Sequence, residues 1–224
     1  MRTLLHVGCG TSDISHLPPY FHNGDWDELR YDIDPSVQPD LVGTLQDMSL
    51  IGDEAIDAIY SSHNIEHVWH HEVPVVMAEF LRVLKPTGFA VVLCPDIHSV
   101  AEAIIRGYLT EPLYLSPAGE ISAIDIIYGF QKEIQRGNLF MAHKTAFTAL
   151  TLGSQLITAG FAGAAVARDR VFGLHGLATK IAWADVGFNN LVAAFQPAPE
   201  LLLERLNHGT YAVGSYTGRI WDFG

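Results

Sequence analysis

Charge is scarce in this chain of 224 residues. Charged residues make up 17% of it, and the 13 basic residues face 25 acidic ones, for a formal net charge of −12. Binding to a phosphate backbone rests on clustered Lys and Arg. Here the few cations are scattered, so nucleic acid is not an expected partner and a small molecule is favoured. Cysteine is rarer still. Cys9 and Cys94 each sit among apolar neighbours and read as reduced, buried thiols of a cytoplasmic protein rather than a disulfide pair. The opening MRTLLHVGCG enters a strand-like run without a signal-peptide pattern, which carries the same expectation of a cytoplasmic location.

One uncharged run, Thr145 to Ala167, is long enough to span a bilayer. Glycines, threonines and a glutamine interrupt it, and it breaks at AGF. It is read as a buried helix, a turn and a strand, with no membrane contact.

Apolar residues, by contrast, are plentiful at 49%, enough to fill the core of a single domain spanning 1–224. In the first half, short apolar segments alternate with helical spacing. TLLHVG, ELRYDID, DAIYSS and GFAVVLCPD read as strands. HHEVPVVMAEFLRVLKPTG places Val76, Phe80, Val83 and Leu84 at helical intervals and is stopped by Pro86 and Gly88. This order implies an α/β fold: a Rossmann-like, doubly wound, mostly parallel sheet with helices on both faces. About 99–142 the alternation lapses into helix-like pieces, read as a lid inserted after strand five. The sheet resumes after a helix in TAFTALTLGSQLITAGF, with VARDRVFGL and LATKIAW as a closing strand pair. A C-terminal extension, 197–224, is read as an ELLLERL helix plus residues for packing or homodimer contact.

The chemistry begins at LLHVGCGTSD. A glycine turn after the first strand lets a ligand approach the backbone at the sheet's carboxyl edge. Asp13 stands where a dinucleotide fingerprint needs its third glycine, so that version is spoiled. YDIDP places Asp32 at the end of the next strand, where a carboxylate can accept both hydroxyls of a ribose. GTLQDMSL, DAIYSSHNIEHV and FLRVLKPTGFAVV follow in order.

Across roughly residues 3 to 95, this succession resembles the class I S-adenosylmethionine-dependent methyltransferases of the type 11-like group. The resemblance implies S-adenosylmethionine as cofactor and S-adenosylhomocysteine as product. Gly8 and Gly10 would line the methionine part, Asp32 would bind the ribose and Ile33 would lie against the adenine. Leu45, Gln46, Asp47 and Met48 would frame the adenine. Ser61, Ser62 and His63 would face the amino-acid end and the methyl group. Ser12 replaces a common glycine, Thr44 replaces a common acid, and the proline-broken LPPYF implies a short or distorted first helix.

Residues 60–71, YSSHNIEHVWHH, hold four histidines. HNIEH also fits the H-x-x-E-H pattern of zinc peptidases. That reading needs His63 and His67 on one helical face and a third ligand from elsewhere, whereas the segment directly follows a short strand. Glu66 and His67 are therefore assigned to positioning, no metal is expected, and His70 and His71 are placed at the solvated start of a helix. His63 and His143 are the candidate bases for an acceptor proton. Asp96 and His98 are secondary candidates at the carboxyl edge. Tyr128, Gln131, Arg136, Asn138 and Lys144 are the polar residues of the lid.

The expected function is methyl transfer to an O, N or C nucleophile of a small or medium-sized molecule. Two alternatives stand beside it, a catalytically silent cofactor-binding regulator or assembly protein and, more remotely, a zinc hydrolase built on HNIEH.

Overall fold

The computed structural model describes residues 1–182, 188–195, 203–205 and 211–214. Nine strands of one mixed sheet are found among them, in the order β10-β11-β8-β9-β5-β4-β1-β2-β3. In chain order these are β1 (Arg2–Val7), β2 (Trp26–Asp32), β3 (Leu41–Val42), β4 (Ile56–Ser62), β5 (Leu84–Pro95), β8 (Gly163–Arg168), β9 (Gly173–Thr179), β10 (Leu203–Arg205) and β11 (Tyr211–Gly214). The ladder β3-β2-β1-β4-β5 is parallel throughout, β9 inserts antiparallel between β5 and β8, and β11 runs parallel to β8. The chain winds outward from β1 through β2 to β3, then crosses to β4 on the other side. That reversal leaves a crevice at the carboxyl ends of β1 and β4, where open α/β sheets bind ligands.

Strict alternation of side chains sends β1, β4 and β5 residues into two cores. Leu5, Ile59, Ala90 and Val92 join α1 (Val73–Val83) and α5 (Ala149–Thr158) on one face. Helix α1 forms because Pro74 suits its first turn and Val73, Val76, Met77, Phe80 and Val83 make one buried stripe. It ends at Val83. Leu84, read from sequence as helical, is already extended and pairs with Ile56; Pro86 disfavours helix at Lys85, the residue before it, so the helix cannot run on past Leu84.

The opposite face is covered differently. Where a first helix would stand, Pro18 and Pro19 leave only two 3-10 turns, Ile14–His16 and Pro19–Phe21. Phe21 and Tyr20 then pack with Trp26, Phe89 and Phe195, the last from α6 (Phe188–Phe195). Aromatic surface thus replaces helical surface on this face. Phe21→Ala is expected to cost about 3–5 kcal/mol of stability, measured by denaturant unfolding.

Both cysteines are buried and free, and Thr145–Ala167 is a helix, turn and strand as expected. Among the described residues no helix is long and apolar enough to cross a membrane.

Three expectations are corrected. VARDRVFGL is not one strand. Asp169 accepts from Val171 N–H and Gly173 N–H and reverses the chain there, so the closing pair is β8 with β9, in the register Gly163↔Thr179. The lid segment is not purely helical. Between α2 (Ile97–Ile105) and the short helices α3 (Ala123–Tyr128) and α4 (Gln131–Gln135) it holds a hairpin of β6 (Pro112–Ser116) and β7 (Gly119–Ser122). In ELLLERL, Leu203–Arg205 is strand, because pairing with Tyr211–Gly214 overrides helix propensity. The rest of the 197–224 extension lies outside the described residues.

Candidate cofactor site

Four loops meet at the crevice, and each is held by a specific contact. After β1 the chain turns at Gly8, φ +61°, where a Cβ would overlap the Asn64 side-chain amide. Only glycine satisfies both the left-handed backbone and that approach. Asn64 uses its amide to tie β1 to β4, donating to Val7 O at 2.7 Å and Ser62 O at 3.0 Å. The loops after β1 and β2 share one clamp. Arg30 donates through its guanidinium to the carbonyls of Ser12, Gln38 and Gly10 at 3.1, 2.9 and 2.7 Å.

Asp32 closes the same junction. Its Oδ2 accepts from Gly10 N–H at 2.8 Å and its Oδ1 from Asp34 N–H at 2.9 Å. An ionised carboxylate has about four acceptor sites, so capacity remains on both oxygens for a ligand. Ile33, beside it, is 45% exposed. The loop after β3 is fixed from below. The single Tyr31 Oη proton is shared between Thr44 O at 2.8 Å and Asp47 O at 2.9 Å, and burial pushes its phenol up to about 12. From α1, Glu79 accepts from Met48 N–H at 2.8 Å, and Arg82 donates to Met48 O and Ile51 O while pairing with Glu79.

After β4, HNIEH forms the turn expected of it. His63 sits at φ +56°, an unusual conformation for a residue with a side chain, and Ile65–His67 is a single 3-10 turn. The pair His63 and His67 is therefore not displayed along one helical face as the peptidase reading requires. His63 Nδ1 lies 3.2 Å from Glu66 Oε1, and its side chain is 58% exposed. Burial opposes charge on this ring, but the hydrogen bond and charge of Glu66 outweigh it and raise its pKa above the ordinary 6.5. Glu66 itself is 1% exposed. Burial would raise its carboxyl, yet His63, His67 and His143 together hold it below the usual range.

The segment between α4 and α5 reaches back to this turn. Lys144 N–H and Thr145 N–H donate to Glu66 O at 2.8 and 3.2 Å. His143 Nδ1 lies 2.7 Å from Ile126 O, its ring meets that of His67 edge-on at 4.8 Å, and burial lowers its pKa.

These loops enclose a cavity of about 290 Å³, near the lower end of the ~300–1,000 Å³ of small-molecule sites. Of the residues singled out in the sequence, Gly8, Gly10, Asp32, Ile33, Leu45, Gln46 and His63 line it. Asp47, Met48, Ser61 and Ser62 do not. Asp47 is exposed and caps Ser49 N–H, Met48 and Ser61 are fully buried, and Ser62 lies behind Asn64. His143 stands behind the wall, against His67. Asp96 is buried as the cap of α2 and is paired with Arg168, while His98 pairs with Glu102 on that helix.

The far wall comes from the segment after α4: Asn138, Phe140, Met141 and Lys144. Of the polar lid residues, Tyr128, Gln131 and Arg136 are exposed away from it. Sequence reasoning missed Arg30, Asn64, Phe140 and Met141. Arg30 and Asn64 had a readable signal, being polar residues on or just after buried strands with no other evident partner. The two apolar lid residues had none.

The strand order, the switch-point crevice and the glycine–acid junction define the class I S-adenosylmethionine-dependent methyltransferase fold. Residues 5–92 match the family model described as methyltransferase domain, the stretch that holds the glycine turn and Asp32. Solved structures share the fold at low identity. A protein of Pyrococcus horikoshii OT3 matches with TM-score 0.56 and 13% identity over 80% of this chain and 82% of its own. A SAM-dependent methyltransferase from Methanosarcina mazei matches with TM-score 0.52 and 16% identity over 80% and 92%. The CMeT domain of the citrinin polyketide synthase matches with TM-score 0.52 and 14% identity over 80% of this chain and 46% of its own. No curated protein matches the chain.

Proposed function

We propose that the cavity binds S-adenosylmethionine and that the protein transfers its methyl group to an O, N or C nucleophile of a small or medium-sized acceptor. The carrying observation is the convergence of Gly8, Asp32, Ile33 and Leu45 on one wall at the switch point. Bare backbone at Gly8 and Gly10 accepts the close approach of the methionine part. Asp32 offers charged acceptors to the ribose hydroxyls, and Ile33 with Leu45 offers apolar surface to the adenine.

The cofactor supplies an electrophilic methyl on a sulfonium, so the protein's contribution is alignment and exclusion of water. His63, at the carboxyl end of β4 with Nδ1 against Glu66, lines the cavity and serves as base through its other ring nitrogen where the acceptor must lose a proton. His143, behind the wall, serves by holding His67 rather than by touching the acceptor. Asn138, Phe140, Met141 and Lys144 make the lid wall that selects the acceptor. The net charge of −12 supports an acceptor other than nucleic acid, and a cytoplasmic location belongs to the same reading.

Calorimetry with S-adenosylhomocysteine is expected to show one site per chain, and methyl-labelled cofactor should pass label to a small-molecule pool. Binding without labelled acceptor in any pool would establish the silent regulator instead. Absence of binding would end the cofactor reading altogether.

A further inference from the structure

We propose that Glu66, His67 and His143 form a site for one divalent transition-metal ion at the edge of the cavity, and that this ion holds the acceptor through a hydroxyl oxygen. The donor atoms of the three residues all lie within 4.8 Å of one another. Donors ~2.1 Å from a tetrahedral ion stand ~3.4 Å apart, so the cluster is within about 1.4 Å of binding geometry.

The state of each side chain supports the assignment. Both imidazoles direct Nδ1 at a backbone carbonyl, His67 at Ala142 O at 3.1 Å and His143 at Ile126 O at 2.7 Å. That arrangement fixes the tautomer and leaves Nε2 as the free ligand, as outer-shell contacts do in metal sites. Glu66 is 1% exposed and its Oε2 is buried without a hydrogen-bond partner. A buried carboxylate oxygen without a partner is costly, and a cation beside it removes that cost. The two imidazoles and one carboxylate make a donor set suited to Zn²⁺, Mn²⁺ or Fe²⁺ rather than to an all-oxygen Mg²⁺ or Ca²⁺ site. Three protein ligands leave coordination open, and His67 borders the cavity.

This site differs from the H-x-x-E-H peptidase pattern. His63 is not among the grouped donors, which are Glu66, His67 and His143; its Nδ1 faces Glu66 Oε1. It stands beside the cluster, where it can take the proton of a metal-held hydroxyl, so the acceptor class narrows to hydroxyl-bearing molecules. The acceptor part of the inference rests on the methyl-transfer reading; the metal site does not.

The test uses the full chain stripped by chelator and titrated with Zn²⁺ alone and with Co²⁺ alone. Expected are one ion per chain and a Co²⁺ absorption band of low-symmetry nitrogen–oxygen coordination. Glu66→Gln and His143→Ala should each weaken Zn²⁺ binding at least about 10–100-fold, the range reached by outer-shell changes alone. His22→Ala, at an exposed histidine, should leave it unchanged. Neither Glu66 nor His143 lines the cavity, so S-adenosylhomocysteine binding by the variants reports that they are folded. The proposal is overturned if the wild-type chain takes up no Zn²⁺, or binds it no more tightly than the two variants. S-adenosylhomocysteine titration of the metal-free wild type keeps failure of the metal site distinct from failure of the cofactor reading.

Discussion

His63→Asn is expected to lower turnover about 10²–10⁴-fold, the usual contribution of a positioned base, with the loss in kcat rather than in affinity for S-adenosylhomocysteine. Asparagine is the chosen replacement because the backbone at His63 is left-handed, φ +56°, and asparagine accepts that conformation better than most residues. The substitution therefore removes the imidazole without rebuilding the turn. The side chain is 58% exposed, so little packing is lost with it. Single-turnover measurement of labelled methyl transfer separates chemistry from product release. Unchanged turnover would remove His63 from the reaction and leave it a loop residue held by Glu66.

Asp32→Ala should weaken S-adenosylhomocysteine binding by about 100-fold or more. Two hydrogen bonds from ribose hydroxyls to a carboxylate are worth about 1.5–3 kcal/mol each, and every 1.4 kcal/mol is about tenfold. The same substitution also frees Gly10 N–H and Asp34 N–H, whose acceptor Asp32 is, so loosening of both loops adds to the loss. Asp32→Asn separates the two effects. It keeps one oxygen to accept from a backbone N–H but withdraws the charge and one acceptor oxygen. Intermediate affinity with an intact melting temperature is expected, and an Asp32→Ala chain that binds the product as tightly as wild type would refute the ribose assignment.

Much of this was legible in the order of residues because the relevant signals are local. A strand ending at Val7 and followed by glycines must turn there, and the next strand must end near Asp32. Apolar residues every three or four positions from Val73 to Val83 must bury one side of a helix. The prolines of LPPYF signalled a short or distorted first helix, and only two 3-10 turns remain there. The illegible parts depended on partners far away in the chain. Asp47 and Met48 read like their neighbours Leu45 and Gln46, yet Tyr31 and Glu79 hold the loop so that only the latter two reach the cavity. The β6–β7 hairpin had a sequence signal, the Pro-Ala-Gly turn of 117–119, whereas the strand at Leu203–Arg205 had only its pairing with Tyr211–Gly214 to set it against helix propensity.

The sequence by itself determined the layered α/β architecture, the glycine–acid cofactor edge and the placement of HNIEH as a turn after a strand, since each follows from backbone freedom and the period of apolar residues. Only the tertiary structure decided how the histidines are grouped. Lys144 and Thr145 dock on the Glu66 carbonyl and carry His143 against His67, across 76 positions of sequence. That docking surrounds a buried carboxylate with three imidazoles, and no local pattern records it, because the low-dielectric enclosure that gives those groups their chemistry exists only once the chain has closed.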